Sequence, residues 1–200
     1  MAREAAEVKK NVVAKAIRCI DEIYPAENPV DETFFSVDAF IEEAVRWVIE
    51  AVPTAMLSER ETLVVTPQLS DDGVGSVNII PPDFGRLVFF MAADWKRPVV
   101  SAITENSPLY LQQKNPVLRG NPSRPIVAIV EGRSRIEWYT TRTTGYEALY
   151  VPYKIEYIPQ LLEDITAWKL AEIILLSMAD TQSAAVCVSR VNEQLQMLNI

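Results

Sequence analysis

The sequence of 200 residues contains no histidine. Imidazole is the side chain that most often acts as a general base, proton shuttle or metal ligand near neutral pH. The serines therefore have no histidine partner, and no Ser-x-x-Lys pattern supplies a lysine in its place. This absence excludes every mechanism that needs an imidazole, including most hydrolases and zinc sites.

Glycine is also scarce, since the chain has six glycines and they are scattered. The glycine-rich patterns that cradle phosphates, G-x-G-x-x-G and G-x-x-x-x-G-K, do not occur. Nucleotide binding by these two routes is therefore excluded. The sequence predicts neither a cofactor nor a metal site.

Only two cysteines are present, Cys19 and Cys187, and each lies in an apolar helical pattern. Neither belongs to a Cys-x-x-Cys motif or adjoins a base, so we expect two unreactive core thiols in a reducing compartment. The sequence leaves open a bridge between the two.

Long apolar runs are missing as well. The longest, near Leu170 to Ala179, includes Glu172 and stops at Asp180, well short of a membrane span. The first ten residues alternate charges and lack the apolar stretch of a secretion signal. A soluble protein made in the cytoplasm, without a membrane partner, is therefore expected.

Charge is distributed unevenly around a net value of −8. Residues 1–82 carry 7 basic and 15 acidic side chains, residues 83–142 carry 9 and 5, and residues 143–200 carry 3 and 7. The acidic total argues against a free-standing nucleic-acid binder, whose affinity comes from neutralising phosphates. A basic middle between acidic ends favours a subunit that docks head to tail on its own copies.

Hydrophobic spacing predicts an α+β fold in a single domain of residues 1–200. Residues 1–58 and 160–200 form its helical part, with amino- and carboxy-terminal helices packed together, and residues 59–159 a small antiparallel β-rich part. The helix from Leu161 to Ala179 is apolar on most sides, so it is either the central helix or partly covered by a neighbouring chain. The predicted helices are Val8–Tyr24, a helix from a Ser36 cap to Val52 after the polar turn 25–33, a last turn at Thr54–Leu57, Leu161–Ala179, and a helix from a Thr181 cap to Leu198.

Short β-branched runs predict the strands of the middle region. Turn residues at 71–75 and 132–134 predict two hairpins, of which the second is the clearer. The predicted strands are Leu63–Thr66, Val77–Ile80, Arg86–Ala92, Ile126–Glu131, Arg135–Thr141 and Tyr153–Tyr157.

Residues 104–125 interrupt these strands with four prolines, which forbid regular structure over most of the segment. A long extended loop is therefore predicted, and loops of this length are usually functional or disordered. Tyr110, Arg119 and Arg124 favour a docking arm over a linker. These three residues are the predicted contacts with a neighbouring copy.

Carboxylate pairs occur at Asp71–Asp72, Glu42–Glu43 and Glu163–Asp164, and a histidine-free glycosidase or nuclease uses carboxylates alone. A turn, a solvated helix face and a first helical turn explain the three pairs better. Trp95 and Trp138 lie near basic residues and are the best candidates for stacking on a nucleic acid, although packing is favoured for both.

The order of elements resembles that of head-to-tail adaptor or tail tubular proteins of short-tailed phages. The stretch Ile80-Pro-Pro-Asp-Phe-Gly-Arg-Leu87 is similar to the start of the central strand in such adaptors. Further stretches are similar to ring proteins of crAss-like phages: residues 107–115, residues 119–125, and residues 155–157 with 164–168.

The resemblance implies a structural, non-enzymatic virion protein at the portal–tail junction. Its expected partners are its own copies, commonly twelve in a ring, the portal protein, the next tail or ring protein, and genomic DNA that passes through the channel without sequence-specific binding. The helices from Leu161 to Leu198, with Trp168 and Leu195, are the expected portal contacts. Two alternatives stay open: a carboxylate-dependent virion hydrolase acting through Asp71 or Asp72, and a small nucleic-acid-binding protein using Arg119, Arg124, Arg133 and Arg135.

Overall fold

A computed structural model describes residues 4–23, 37–57, 60–79 and 81–198. The chain divides into two compact units. The helical unit comprises residues 1–59 and 153–200, and the β unit comprises residues 60–152. The fold is mixed α+β, with helices towards both ends of the sequence and mainly antiparallel sheets in its middle. Within the described residues, no helix is both long and apolar enough to cross a membrane.

Two one-sided helices open the helical unit. Helix α1, Ala5–Ile23, and helix α2, Val37–Ala51, follow the predicted apolar spacing. A short 3-10 turn at Thr54–Met56 follows Pro53. The predicted polar turn 25–33, Tyr24 and the Ser36 cap lie outside the described residues. The buried positions of the two helices are Val8, Val12, Ala16, Cys19 and Ile20, then Ile41, Ala44, Val45, Val48 and Ile49.

Helix α4, Glu163–Ser177, is the central helix of this unit. It packs against α1, α2 and the last helix, α5, Thr181–Met197. Because helices cover it on several sides, α4 buries residues around nearly its whole circumference, including Trp168 and the polar Glu163, Thr166 and Glu172. The amino- and carboxy-terminal helices are thus packed together, as predicted.

The cap of α5 differs from the prediction. Asp180, one residue before the predicted Thr181, accepts a hydrogen bond from the backbone N–H of Ser183 at 3.0 Å. This bond lowers the pKa of the Asp180 carboxyl below its ordinary value. A carboxylate at this position also complements the positive end of the helix dipole, which is why the aspartate is the cap.

Both cysteines are free and buried. Burial raises the pKa of the Cys19 thiol to about 12 and that of Cys187 to about 11. At pH 8 the thiolate fraction of each is therefore reduced by about 100-fold or more relative to an exposed cysteine. The thiols fit the prediction of unreactive core residues.

We expect native protein at pH 8 to resist a thiol reagent and to react at both cysteines once unfolded. The raised thiol pKa values also set a pH dependence: their contribution to stability is complete below about pH 9 and is lost as the pH rises towards 11–12, because the unfolded thiols ionise first. Ser189→Cys, an exposed position on α5, is the control that should react at once. Rapid labelling of both native cysteines in the unsubstituted protein would contradict the prediction.

The β unit contains two sheets. In the first, strand β8, Tyr146–Pro152, lies between β1, Glu61–Thr62, and β4, Phe84–Ala92. The second has the order β2–β3–β7–β6–β5, and its single parallel pair joins β5 to β6. Its strands are β2, Gln68–Leu69; β3, Val74–Asn78; β5, Ile103–Thr104; β6, Val127–Val130; and β7, Arg135–Tyr139.

The second predicted hairpin is present as β6 and β7, whereas the first is formed by β2 and β3 in place of residues 63–66 and 77–80. Two predicted strands are wrong. Residues 63–66 connect β1 of the first sheet to β2 of the second, and Pro67, which has no N–H, follows them. Residues 153–157 form no strand, and their last three, Ile155–Tyr157, form a 3-10 turn. The strand in this region is β8, which ends at Pro152.

An aromatic cluster fills the core of the β unit. The Phe90 ring lies 4.9 Å from Trp138, 5.3 Å from Tyr146 and 5.8 Å from Trp95, measured between ring centroids. Trp138 is fully buried and Trp95 is 4 % exposed. Both tryptophans are therefore packing residues and offer no face for stacking on a nucleic acid.

Candidate interaction surface

Residues 104–125, here called the excursion, are folded and do not form the predicted extended loop. Helix α3, Pro108–Gln113, begins after Ser107, whose hydroxyl accepts a hydrogen bond from the backbone N–H of Leu109 at 3.3 Å. Pro108 occupies the first turn, where its missing N–H costs nothing. Asn115 and Asn121 each accept bonds from backbone N–H groups two or three residues later. The residues that predicted irregular structure thus serve as cap and turn residues.

Gln113 links helix α3 to the turn at Gly120 within the excursion. Its side chain is fully buried, donates to the carbonyl of Leu109 at 2.7 Å and accepts from the N–H of Gly120 at 2.7 Å. The hydroxyl of Thr140, which follows β7, donates to the carbonyl of Gly120. The Gln113 bonds satisfy a buried amide within the excursion, and the Thr140 bond ties the excursion to the end of β7.

Tyr110, one of the predicted contact residues, is engaged within the chain. Its hydroxyl donates to Glu137 Oε2 at 3.2 Å, and Tyr139 donates to the same oxygen at 3.0 Å. Arg135 pairs with the other oxygen of Glu137. Burial, followed by the Glu137 charge, raises the pKa of both tyrosines, so the two phenols stay protonated donors.

Arg119, the second predicted contact, links the excursion to the turn at Asp72 elsewhere in the β unit. Its side chain is only 7 % exposed and donates to the carbonyl oxygen of Asp72 at 2.8 Å and to Asp72 Oδ2 at 3.2 Å. Hydrogen bonds from the Ser70 hydroxyl and from Arg119 lower the pKa of the Asp72 carboxyl. Asp72 is thus held in a turn, as its structural interpretation predicted.

The surface of the excursion exposes aliphatic side chains among polar ones. Four aliphatic side chains are exposed there although apolar side chains gain from burial. Val117 is 88 % exposed, and the excursion itself is held by Gln113, Tyr110 and Arg119. We call this set the apolar face of the excursion: Leu109, Leu111, Val117 and Leu118.

Arg124, the third predicted contact, is exposed and belongs to a group of cations on adjacent loops. The backbone N–H of Lys96 donates to the carbonyl of Pro122 at 3.0 Å, which brings residues 93–98 against the end of the excursion. Asp94 accepts from the backbone N–H of Arg142 at 2.8 Å, which adds the loop after β7. We call the four exposed cations of these loops the cationic rim: Lys96, Arg97, Arg124 and Arg142.

The rim borders an open groove of about 750 Å³. The groove is lined by residues 69–73, Asp94, Pro122 and residues 140–142. Asp94 is fixed by hydrogen bonds from the Thr141 hydroxyl at 2.9 Å and from Arg142. Charges of both signs therefore line the groove, and Asp71 is an exposed carboxylate in it.

The predicted portal contacts lie in the helical unit. Trp168 is 8 % exposed in α4 and stands in the core of that unit, so its side chain does not present an outer surface. Leu195 is half-buried on α5. The exposed apolar residues of these helices are Leu161, Leu176, Met178, Val186, Val188 and Met197.

The carboxylate pairs lie where their structural interpretation placed them: in a turn, on an exposed helix face and in a first helical turn. Lys15 contacts Glu163 at 3.0 Å and Asp164 at 2.6 Å, which makes that pair part of an ion-pair cluster. Among the described residues, no group of three acidic or cysteine side chains is arranged to hold a metal ion. The third pair, Glu42 and Glu43, lies exposed on α2, on the solvated face that the sequence indicated.

Most of the arginines proposed for nucleic-acid binding have partners within the chain. Arg119 binds Asp72, and Arg135 pairs with Glu131 and Glu137. Arg133 donates to the carbonyl of Gly85 at 2.6 Å. Of the four, only Arg124 lies on the rim. The other rim residues were not predicted from the sequence, where the adjacent cations Lys96 and Arg97 were the only signal for two of them.

In the comparisons with known proteins, no family model matches the chain, and no curated protein matches it.

Proposed function

We propose that this protein is a structural virion protein, one subunit of a head-to-tail adaptor ring. The ring docks beneath the portal of a short-tailed phage and connects it to the next tail or ring protein, while genomic DNA passes through its channel. The proposal includes an assembly of about twelve copies at the portal–tail junction and no enzymatic activity. It rests on the resemblance in element order and on the surfaces described above.

The apolar face of the excursion is the observation that carries the proposal. Leu109, Leu111, Val117 and Leu118 stand outside, while Gln113 and Arg119 fix the segment from inside. A segment that is already ordered loses little conformational entropy on binding, so its exposed apolar residues are well suited to a stable contact. Such a surface fits an assembly subunit better than a solitary protein.

Charge separation between the two units supports the same proposal. The helical unit carries 9 basic and 18 acidic side chains, whereas the β unit carries 10 and 9. Approach of two helical units brings strongly like charges together, whereas approach of a β unit to a helical unit does not. Head-to-tail contact is the arrangement that generates a ring when the rotation closes. An acidic helical surface facing the channel would also keep DNA from adhering.

The proposal is tested by electron microscopy of the protein mixed with the portal protein of the same phage. A closed ring seated on the portal is expected, because adaptors of this kind assemble on their portal. A protein that stays monomeric and ignores the portal would refute the proposal. DNA hydrolysis or cell-wall hydrolysis that disappears on Asp71 or Asp72 substitution would favour the hydrolase instead.

The role of the apolar face is tested by the double variant Leu111→Ser and Val117→Ser. We expect ring assembly to require at least about 100-fold more protein, since each aliphatic side chain buried in a contact contributes roughly 1.5–3 kcal/mol. Gln112→Ser shortens an exposed side chain on the same helix without removing apolar surface, and it is the matched control. Equal assembly by all three proteins would show that this face makes no contact in the ring.

A further inference from the structure

The cationic rim is a charged surface that the fold of the β unit does not use. Its four side chains are exposed, and none of them has a carboxylate partner within the part of the chain that the structure describes. The nearest acids are largely committed, because Asp94 accepts bonds from Thr141 and Arg142 while Asp72 holds Arg119. Asp71 and Asp72 are both exposed in the groove, but Asp72 is paired with Arg119. Three hydrogen-bonded loops thus present a surplus of positive charge.

The end of α1 carries the complementary charge. Asp21 and Glu22 are exposed in the last turn of this helix, which contains no basic residue. The carboxyl end of a helix disfavours negative charge, so these carboxylates stand at an unfavourable position. Neither has a cationic partner among the described residues. A cation supplied from outside would relieve both the dipole repulsion and the mutual repulsion of the pair.

Other acidic positions of the helical unit are less suitable. Glu163 and Asp164 already pair with Lys15 and lie in a first helical turn, where the dipole favours them. Glu42 and Glu43 lie in the first half of α2, away from its carboxyl end, so the helix dipole does not disfavour them. Among the described acidic pairs of the helical unit, Asp21 and Glu22 are therefore the pair that gains most from an external cation.

We infer that the cationic rim of one copy binds the Asp21 and Glu22 carboxylates of the next copy. The inference rests on the proposed ring, and it names one contact within it. Rim and helix end belong to different units of the chain, so each copy offers one donor surface and one acceptor surface. Contacts of this heterologous kind repeat around a ring without being self-complementary.

A second copy is favoured over DNA as the occupant of the rim. The carboxylates of Asp71, Asp72 and Asp94 line the adjoining groove and interrupt the positive surface that a phosphate backbone would follow. Two adjacent carboxylates at a helix end form a compact target that fits beside such a groove. The strongly acidic helical unit supplies that target in every copy.

Charge exchange is the decisive experiment. Ring formation on the portal is measured for Arg97→Glu with Arg124→Glu, for Asp21→Lys with Glu22→Lys, and for the combination of all four. We expect each double variant to need at least about tenfold more protein at low salt, and the combination to assemble much more nearly like the unsubstituted protein. Lys10→Glu with Arg190→Glu reverses two exposed cations elsewhere and is the matched control. Circular dichroism verifies the fold of every variant.

The outcomes separate this contact from the proposed function. Normal assembly of either double variant, or a combination that stays as defective as its parents, overturns the contact while leaving the ring intact as a proposal. A rim variant that assembles normally but loses binding to duplex DNA assigns the rim to DNA instead and also overturns it. Unsubstituted protein that forms no ring with its portal removes both proposals.

Discussion

Replacing Gly75 by alanine is expected to destabilise the β unit by about 3 kcal/mol or more. A Cβ atom at this position would lie 2.1 Å from Cε2 of Trp138 and 2.4 Å from Cζ2 and Nε1. The indole cannot move aside cheaply, because it is fully buried and its ring lies 4.9 Å from Phe90 and 5.6 Å from Tyr146. Chemical denaturation of the purified variant measures the loss.

A double-mutant cycle identifies the cause. In a Trp138→Phe background the smaller ring leaves room for the methyl group, so the cost of Gly75→Ala should fall by at least half. Gly132→Asn is the control, since no atom lies within 4 Å of the added Cβ there and asparagine tolerates the positive φ of 61°. A full and unchanged cost in the Trp138→Phe background would show that the clash is not the reason.

Replacing Gln113 by methionine is expected to loosen the excursion by about 1–3 kcal/mol, because the N–H of Gly120 and the carbonyl of Leu109 each lose a buried partner. The loss should appear as local opening, with amide hydrogen exchange in residues 108–120 accelerated by about tenfold or more. Exchange in the strands β6 and β7 should change much less, since their backbone bonds do not involve Gln113.

Gln112→Met provides the comparison, because it makes the same chemical change at the exposed neighbour on α3. Its exchange pattern should match that of the unsubstituted protein. If the proposed ring forms, Gln113→Met should also weaken assembly, since a mobile segment presents its apolar face at a higher entropic cost. Identical exchange in the two variants would mean that the buried amide does not hold the excursion.

The helices could be predicted from the sequence because their pattern is local. Apolar residues at three- and four-residue spacing identified α1, α2, α4 and α5, and the nearly complete apolar circumference of α4 predicted a helix covered on most sides. The same pattern allowed α4 to be either the central helix or partly covered by a neighbouring chain, and it is the central helix of its unit. Spacing is sufficient for these helices because the positions of a helix's own apolar residues show which of its faces is buried.

Strand positions were harder because they depend on distant partners. Residues 63–66 have strand-forming side chains, yet they form no strand. The backbone N–H of Leu63 donates to the carbonyl of Ala148, and the backbone N–H and carbonyl of Val65 both bond to the Tyr146 hydroxyl. Gly75 was interpreted as turn chemistry, whereas it lies in β3 and makes room for Trp138, which is 63 positions later in the sequence. No local pattern reports such a close approach.

The sequence predicts residues 104–125 as a contact segment, but it does not predict how they fold. Prolines and asparagines predicted an extended loop at residues 104–125, whereas they cap and turn a folded segment. The sequence predicts Tyr110 and Arg119 as contacts with a neighbouring copy. In the structure, Tyr110 donates a hydrogen bond to Glu137 and Arg119 donates one to Asp72. Those partners are 27 and 47 positions away, so sequence alone could not supply them. Arg124 alone remains available at the surface.

The discontinuous helical unit has a consequence for biosynthesis. Residues 60–152 form a contiguous unit that can fold as soon as they leave the ribosome. Helices α1 and α2 precede that unit, but α4, against which both pack, is translated more than 100 residues after α2 ends. Their apolar stripes must therefore wait, exposed or held by a chaperone, until translation has produced α4.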